Sequence, residues 1–208
     1  MLIGLDEYPF HQIVESFAGA ATGDSSWNDG HYFGVTDHAG NVSLTASLRL
    51  YPNNDVIDGF VCLRHRDRQY NVRVSRRLRP DIDVLRVGPL GIEIVEPMKQ
   101  VRLFLEPNDI GITLDLLCTS TTVPARSPVE TTRVDGRLVS ERTTYEIAGS
   151  VSGTVEVAGE RYQLTNDSAS FFRNHSWGMH PGRGGPRPFA APGGAKRRAP
   201  GVRQWVLF

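Results

Sequence analysis

Apolar and polar residues alternate strictly through the middle of the chain. Val42, Leu44, Ala46, Leu48 and Leu50 are separated by Ser43, Thr45, Ser47 and Arg49, a period of two held over nine residues. Successive side chains of a strand point to opposite faces, so this spacing predicts a strand with one buried face. Pro52-Asn53-Asn54-Asp55 ends it with turn residues. The same pattern predicts strands over 57–65, 69–78, 82–87, 91–96, 100–106 and 110–119, with breaks such as Gly88-Pro89 and Pro107-Asn108-Asp109 between them. A second β-rich block runs from 129 to 174 and turns at Asp135-Gly136 and Ala158-Gly159. Only residues 10–20 offer room for a helix of any length. Parallel α/β sheets need a helix between successive strands, so they are excluded. What remains is an all-β, antiparallel barrel or closely related sandwich, and closure into a barrel removes the exposed edges that so many strands create.

Composition narrows the class. Of 208 residues, 39% are hydrophobic and 22% charged, a globular balance. No apolar run approaches the roughly 18 residues of a membrane helix, and the first residues lack a basic stretch followed by an apolar one. No membrane span and a cytoplasmic location are therefore expected. Cys62 and Cys118 stand in apolar runs and read as buried, reduced thiols. The net charge of zero is unevenly spread: residues 1–167 carry a net of −7, and residues 168–208 carry seven bases and no acid. Seven glycines and five prolines fill residues 178–201, after which Val202-Arg203-Gln204-Trp205-Val206-Leu207-Phe208 returns to a strand-like pattern. This predicts a first β domain over 1–168, then, over 169–208, a linker, a Gly/Pro-rich mobile loop and the beginning of a second, truncated β domain.

Two stretches gather groups capable of chemistry. In Trp27-Asn28-Asp29-Gly30-His31-Tyr32-Phe33, the residues Trp27, Asp29, His31 and Phe33 share parity, so an extended backbone points them the same way. The same residues also suit an Asx-rich turn entering a strand. In Arg173-Asn174-His175-Ser176-Trp177-Gly178-Met179-His180, two imidazoles, an amide and an indole meet at a predicted strand end; a Trp packed on the core is the plainer reading. His175 and His180, five apart and without a neighbouring Asp, Glu or Cys, do not suit a metal site, and no metal is expected. Arg173 reads as a salt-bridge partner for one of the excess acids. The arginines at 64–79 alternate with apolar residues as a solvated strand face does, so no nucleic-acid partner is expected.

Together with Asp6-Glu7-Tyr8-Pro9-Phe10 and Leu50-Tyr51-Pro52-Asn53, the two clusters resemble motifs of the carotenoid 1,2-hydratase / AttH-like superfamily, in particular its bacterial members of unknown function. The resemblance implies two lipocalin-like β-barrels side by side and an activity that hydrates, cyclises or isomerises an apolar polyene, terpenoid or polyketide without a cofactor. It also implies that the Ser176-Trp177-Gly178 segment lies where the second barrel starts.

The expected function is binding of an apolar small molecule with acid–base chemistry upon it. Asp29, His31 and His175 are the candidate catalytic residues. Trp27, Tyr32, Phe33, Asn174 and Trp177 are the candidates for holding the substrate. Asp29 would raise the pKa of an imidazole so that it donates a proton near neutral pH, while an indole faces the cationic intermediate. A non-catalytic lipid or terpenoid carrier and an interaction domain are the competing readings.

Overall fold

Strand follows strand with tight turns between them in the computed structural model, which describes residues 17, 19, 20 and 22–180. The first four form a meander: β1 (Trp27–Asp37), β2 (Val42–Tyr51), β3 (Val56–His65) and β4 (Arg68–Arg77). Then come β5 (Arg86–Val87), β6 (Leu90–Glu96), β7 (Gln100–Leu105) and β8 (Ile112–Ser120). The last group is β9 (Ala125–Arg126), β10 (Glu130–Val134), β11 (Arg137–Val157), β12 (Glu160–Leu164) and β13 (Ala169–Met179). One antiparallel sheet holds them in the order β4-β3-β2-β1-β13-β11-β8-β7-β6-β5, with β9, β10 and β12 also paired to β11. The result is a nearly closed, lipocalin-like barrel.

The gap in the ring lies between β4 and β5, which touch without a hydrogen-bonded ladder. One side chain spans it. Arg76 of β4 donates to the carbonyls of Arg77, Leu78, Asp81, Val84 and Arg86 at 2.7–3.1 Å. A guanidinium has five N–H donors, and here they stand in for the missing strand pairing.

Alternation decides what fills the barrel. Phe33, Leu48, Ile57, Leu63, Leu103, Leu116 and Ile147 point inward with at most 1% of their surface exposed. Residues of the opposite parity face out: Asp115 on β8 is exposed and pairs with Arg102 of β7 at 2.7 Å. Cys118 is buried and Cys62 half-buried, both as free thiols. Burial pushes the Cys118 thiol up to about 12, with the Arg173 charge pulling the other way.

Several sequence expectations change in detail. The strand expected over 82–87 shrinks to Arg86–Val87, because Ile82, Val84 and Arg86 donate their amides to Pro80, Asp81 and Val84 in successive tight turns. The block from 129 is dominated by one strand of 21 residues, β11, whose first half pairs with β10 and second half with β8. Residues 169–179, expected to open a second unit, form β13 between β1 and β11 within this sheet. The expected helix lies almost wholly outside the described residues, as do the Gly/Pro-rich loop beyond His180 and the segment 202–208. Among the described residues, no helix is long and apolar enough to cross a membrane.

Candidate functional site

Pairing of β1, β13 and β11 sets side by side residues far apart in sequence. His31 of β1 lies opposite His175 of β13, which lies opposite Tyr145 of β11. One step toward the open end the row is Asp29, Trp177, Thr143; one step deeper it is Phe33, Arg173, Ile147. Directly opposed residues of antiparallel strands project to the same face, and these rows all face the interior. The cluster is exposed at its outer end and buried at its inner end. The Asp29 side chain is 49% exposed and that of His175 23%, while Tyr145, His31 and Arg173 are 9%, 7% and 3% exposed.

A line of hydrogen bonds runs down this gradient. Asp29 Oδ1 is 2.7 Å from His175 Nε2, and His175 Nδ1 is 3.1 Å from the Tyr145 hydroxyl. Arg173 Nη1 reaches the same hydroxyl at 3.4 Å and His31 Nδ1 at 3.3 Å. The His31 and His175 rings lie 4.1 Å apart between centroids. Trp177 stands 5.4 Å from His175 and 6.4 Å from Tyr145, edge-on to the latter. Burial, then the His175, Arg173 and Arg49 charges, hold the His31 pKa well below its usual 6.5. His31 is therefore neutral near pH 7 and accepts at Nδ1 from the guanidinium.

Tyr32 and Asn174 have the opposite parity and are paired with each other on the outer face. There they help line a concavity of about 480 Å³ with Ser47, Phe60, Phe172 and Glu146. The candidate residues thus divide between two faces: Trp27, Asp29, His31, Phe33, His175 and Trp177 on the inner one, Tyr32 and Asn174 on the outer. At the end of the outer concavity Arg49, 6% exposed, donates to Asn28 Oδ1, Ser176 O and, at 2.6 Å, Ser176 Oγ.

Two glycines make this crossing possible. A Cβ on Gly30 would run into the Leu48 carbonyl and the Arg49 side chain, so the residue between Asp29 and His31 must be bare for Arg49 to pass. Gly178, at φ +127°, lies in the region that side chains rarely adopt, and a Cβ there would strike the Glu141 carbonyl.

Two participants were not among the candidates. Tyr145 shares parity with Thr143 and Ile147, which marks it as inward, but its meeting with His175 depends on strand pairing. Arg173, expected to serve as a salt-bridge partner, has no carboxylate within ion-pair distance among the described residues and spends Nη1 on His31 and Tyr145 instead. Among the described residues, no group of three or more His, Cys, Asp or Glu is arranged to hold a metal ion.

Comparison with known proteins supplies a fold and a family. The solved structure of kievitone hydratase from Nectria haematococca superposes with a TM-score of 0.52 at 15% identity, over 80% of this chain and 52% of that one. A structure of CghA with Sch210972 gives a TM-score of 0.40 at 12% identity, over 74% of this chain and 46% of that one. The chain thus spans about half the length of these proteins, and the likeness to the hydratase is one of fold. No curated protein matches. By the match of residues 2–199 to its model, the chain belongs to the family of unknown function DUF8625.

Proposed function

We propose that this barrel takes an apolar small molecule at its mouth and carries out cofactor-free acid–base chemistry on it, by hydration, isomerisation or cyclisation. The observation that carries the reading is the Asp29–His175–Tyr145 line, with spacings of 2.7 and 3.1 Å, running from a half-exposed carboxylate to a buried hydroxyl. The fold it shares with kievitone hydratase, and the motifs similar to the carotenoid 1,2-hydratase superfamily, support the class of reaction.

Proton movement follows from the hydrogen bonds. With His175 protonated, Nε2–H donates to the Asp29 carboxylate and Nδ1–H to the Tyr145 oxygen, which leaves the tyrosine O–H to donate to the substrate. As that proton passes to an alkene or a conjugated carbonyl system, His175 returns its Nδ1 proton to the tyrosine oxygen and becomes neutral. Trp177 and Trp27 offer π-faces to the positive charge that alkene protonation creates. Water adding to the cation gives up a proton to the Tyr145 oxygen as that oxygen passes its own proton back to His175 Nδ1, with Nε2–H held by the Asp29 carboxylate throughout. A positioned relay of this kind contributes about 10²–10⁴-fold in rate. His31, neutral with its proton on Nε2 and accepting from Arg173 at Nδ1, positions the cluster and takes no part in the relay.

The test is incubation of the purified chain with prenylated and polyene compounds in ¹⁸O-labelled water and in D₂O. Gain of one labelled water indicates hydration; deuterium uptake without added water indicates isomerisation or cyclisation. His175→Gln and Asp29→Asn should lower turnover at least about a hundredfold while binding stays within about tenfold. A parent protein that binds these compounds and converts none of them would be a carrier, and the catalytic reading would fall.

A further inference from the structure

Arg173 poses a problem that the proton relay leaves unsolved. Its side chain sits in the inner row of the cluster between Phe33 and Ile147, with Phe171 two residues along the same face; all three are at most 4% exposed. A guanidinium stays charged at any ordinary pH, and isolating a charge from water costs several kcal/mol unless it is paired. Arg173 has no such pairing. Only Nη1 donates, to two neutral acceptors, at 3.3 and 3.4 Å. The Tyr145 ring, with its centroid 5.5 Å from the guanidinium carbon, compensates in part. Nε and Nη2 make no hydrogen bond among the described residues, and neither is sealed in the interior, so the edge opens onto accessible space. Those two nitrogens form one edge of the guanidinium, the edge that meets both oxygens of a carboxylate in parallel.

We infer that Arg173 is a ligand-binding residue, and that the molecule taken up by this barrel has an apolar body ending in an anionic oxygen group, best matched by a carboxylate. This rests on the proposed uptake of an apolar molecule and specifies its chemistry: a plain hydrocarbon polyene would leave Nε and Nη2 as bare as they are now. The guanidinium stands among the apolar side chains of Phe33, Ile147 and Phe171. Its free edge suits the charge, and Tyr145, bonded to Arg173 on one side and His175 on the other, lies between the anchored end and the proton relay.

The probe is cis-parinaric acid, a fluorescent polyene carboxylate, titrated into the purified full chain beside its methyl ester. The acid should bind at least about tenfold more tightly than the ester. In Arg173→Gln the acid should fall to the level of the ester, with ester affinity within about threefold of the parent. Excess acid should raise the Tm of the parent and leave that of the variant unmoved. Equal binding of acid and ester by the parent overturns this inference and leaves apolar uptake standing; failure of both probes to bind overturns the two together. Retention of the acid preference in Arg173→Gln assigns the anion to another group and also overturns it. Should that variant not fold, the ratio of acid to ester in the parent decides.

Discussion

Arg49 and Arg173 are both buried, at 6% and 3% exposure, and lie on opposite faces of one patch of sheet. On the outer face Arg49 divides its donors between Asn28 and Ser176, knotting β2, β1 and β13 together. On the inner face Arg173 uses one nitrogen and leaves an edge unengaged. Burial is the same; satisfaction is not. A guanidinium held through both terminal nitrogens ties the architecture together, whereas one with an unengaged edge contributes less until a partner arrives. The contrast separates framework from site on a sheet where composition alone would class both residues as buried cations.

The widest gap should appear when each guanidinium is removed. Arg49→Met strands the Asn28 amide oxygen and the Ser176 hydroxyl, and each buried neutral group left unsatisfied costs about 1–3 kcal/mol. Arg173→Met removes a charge that lacks a counter-ion, so the ligand-free variant should be at least as stable as the parent. Urea unfolding of both variants measures the difference directly. Equal destabilisation would show that Arg173 is as much a part of the framework as Arg49, and the contrast would collapse.

Next in size is the effect of Tyr145→Phe, which keeps the ring under Arg173 but deletes the hydroxyl between Arg173 and His175. If that oxygen passes the proton, turnover should fall about a hundredfold, with ligand affinity nearly unchanged and a stability loss of about 1 kcal/mol. A drop in affinity with unchanged turnover per bound molecule would make Tyr145 part of the binding wall only.

These residues were not equally readable from the sequence. The barrel was, because Val42 to Leu50 and its counterparts alternate with a fidelity that only a half-buried strand requires. The shared direction of Asp29 and His31 follows from parity along one strand. Their meeting with His175 does not: it requires β13 to return across more than 130 residues and pair with β1 in one particular register, which no local pattern encodes. Tyr145 was hidden for the same reason, in the middle of a strand whose two halves have different partners. Arg173 was misread because charge counting offered it an excess of acids, whereas the fold turns it inward, away from them. Tyr32 and Asn174 look like members of the site by sequence proximity and are separated from it by the alternation that places Asp29 and His175 within it.

A smaller effect should appear in the pH dependence of stability. The folded-state pKa of His31 lies well below 6.5, held down first by burial and then by the His175, Arg173 and Arg49 charges. Below about pH 6.5 the unfolded chain takes up a proton at this position that the folded chain refuses, so stability falls with decreasing pH until the folded-state pKa is reached. His31→Gln should flatten that part of the curve relative to the parent. Parallel curves for the two proteins would show that His31 titrates normally and that the inner row is wetter than its burial implies.

The smallest effect is expected at a third arginine, and it tests whether satisfaction matters without burial. Arg102 donates to both Asp115 oxygens, at 2.7 and 3.0 Å, and lies over the Phe104 ring at 5.0 Å. By geometry this is a better ion pair than anything Arg173 makes. Yet the two side chains are 42% and 55% exposed, and water screens such pairs to below about 1 kcal/mol. Hydrogen bonding to Arg102 holds the Asp115 pKa below its usual 3.8, so the pair's contribution is present above that value and disappears as the carboxylate protonates below it. Arg102→Ala should therefore lower stability at neutral pH by less than about 1 kcal/mol, with the coulombic part vanishing once Asp115 is protonated and shrinking in about 1 M salt. A loss above about 2 kcal/mol that persists in salt would mean that exposed pairs on this barrel are as structural as the Arg49 knot. Burial would then no longer be what sets the value of a satisfied guanidinium here, and the cost assigned to Arg173 would lose its basis.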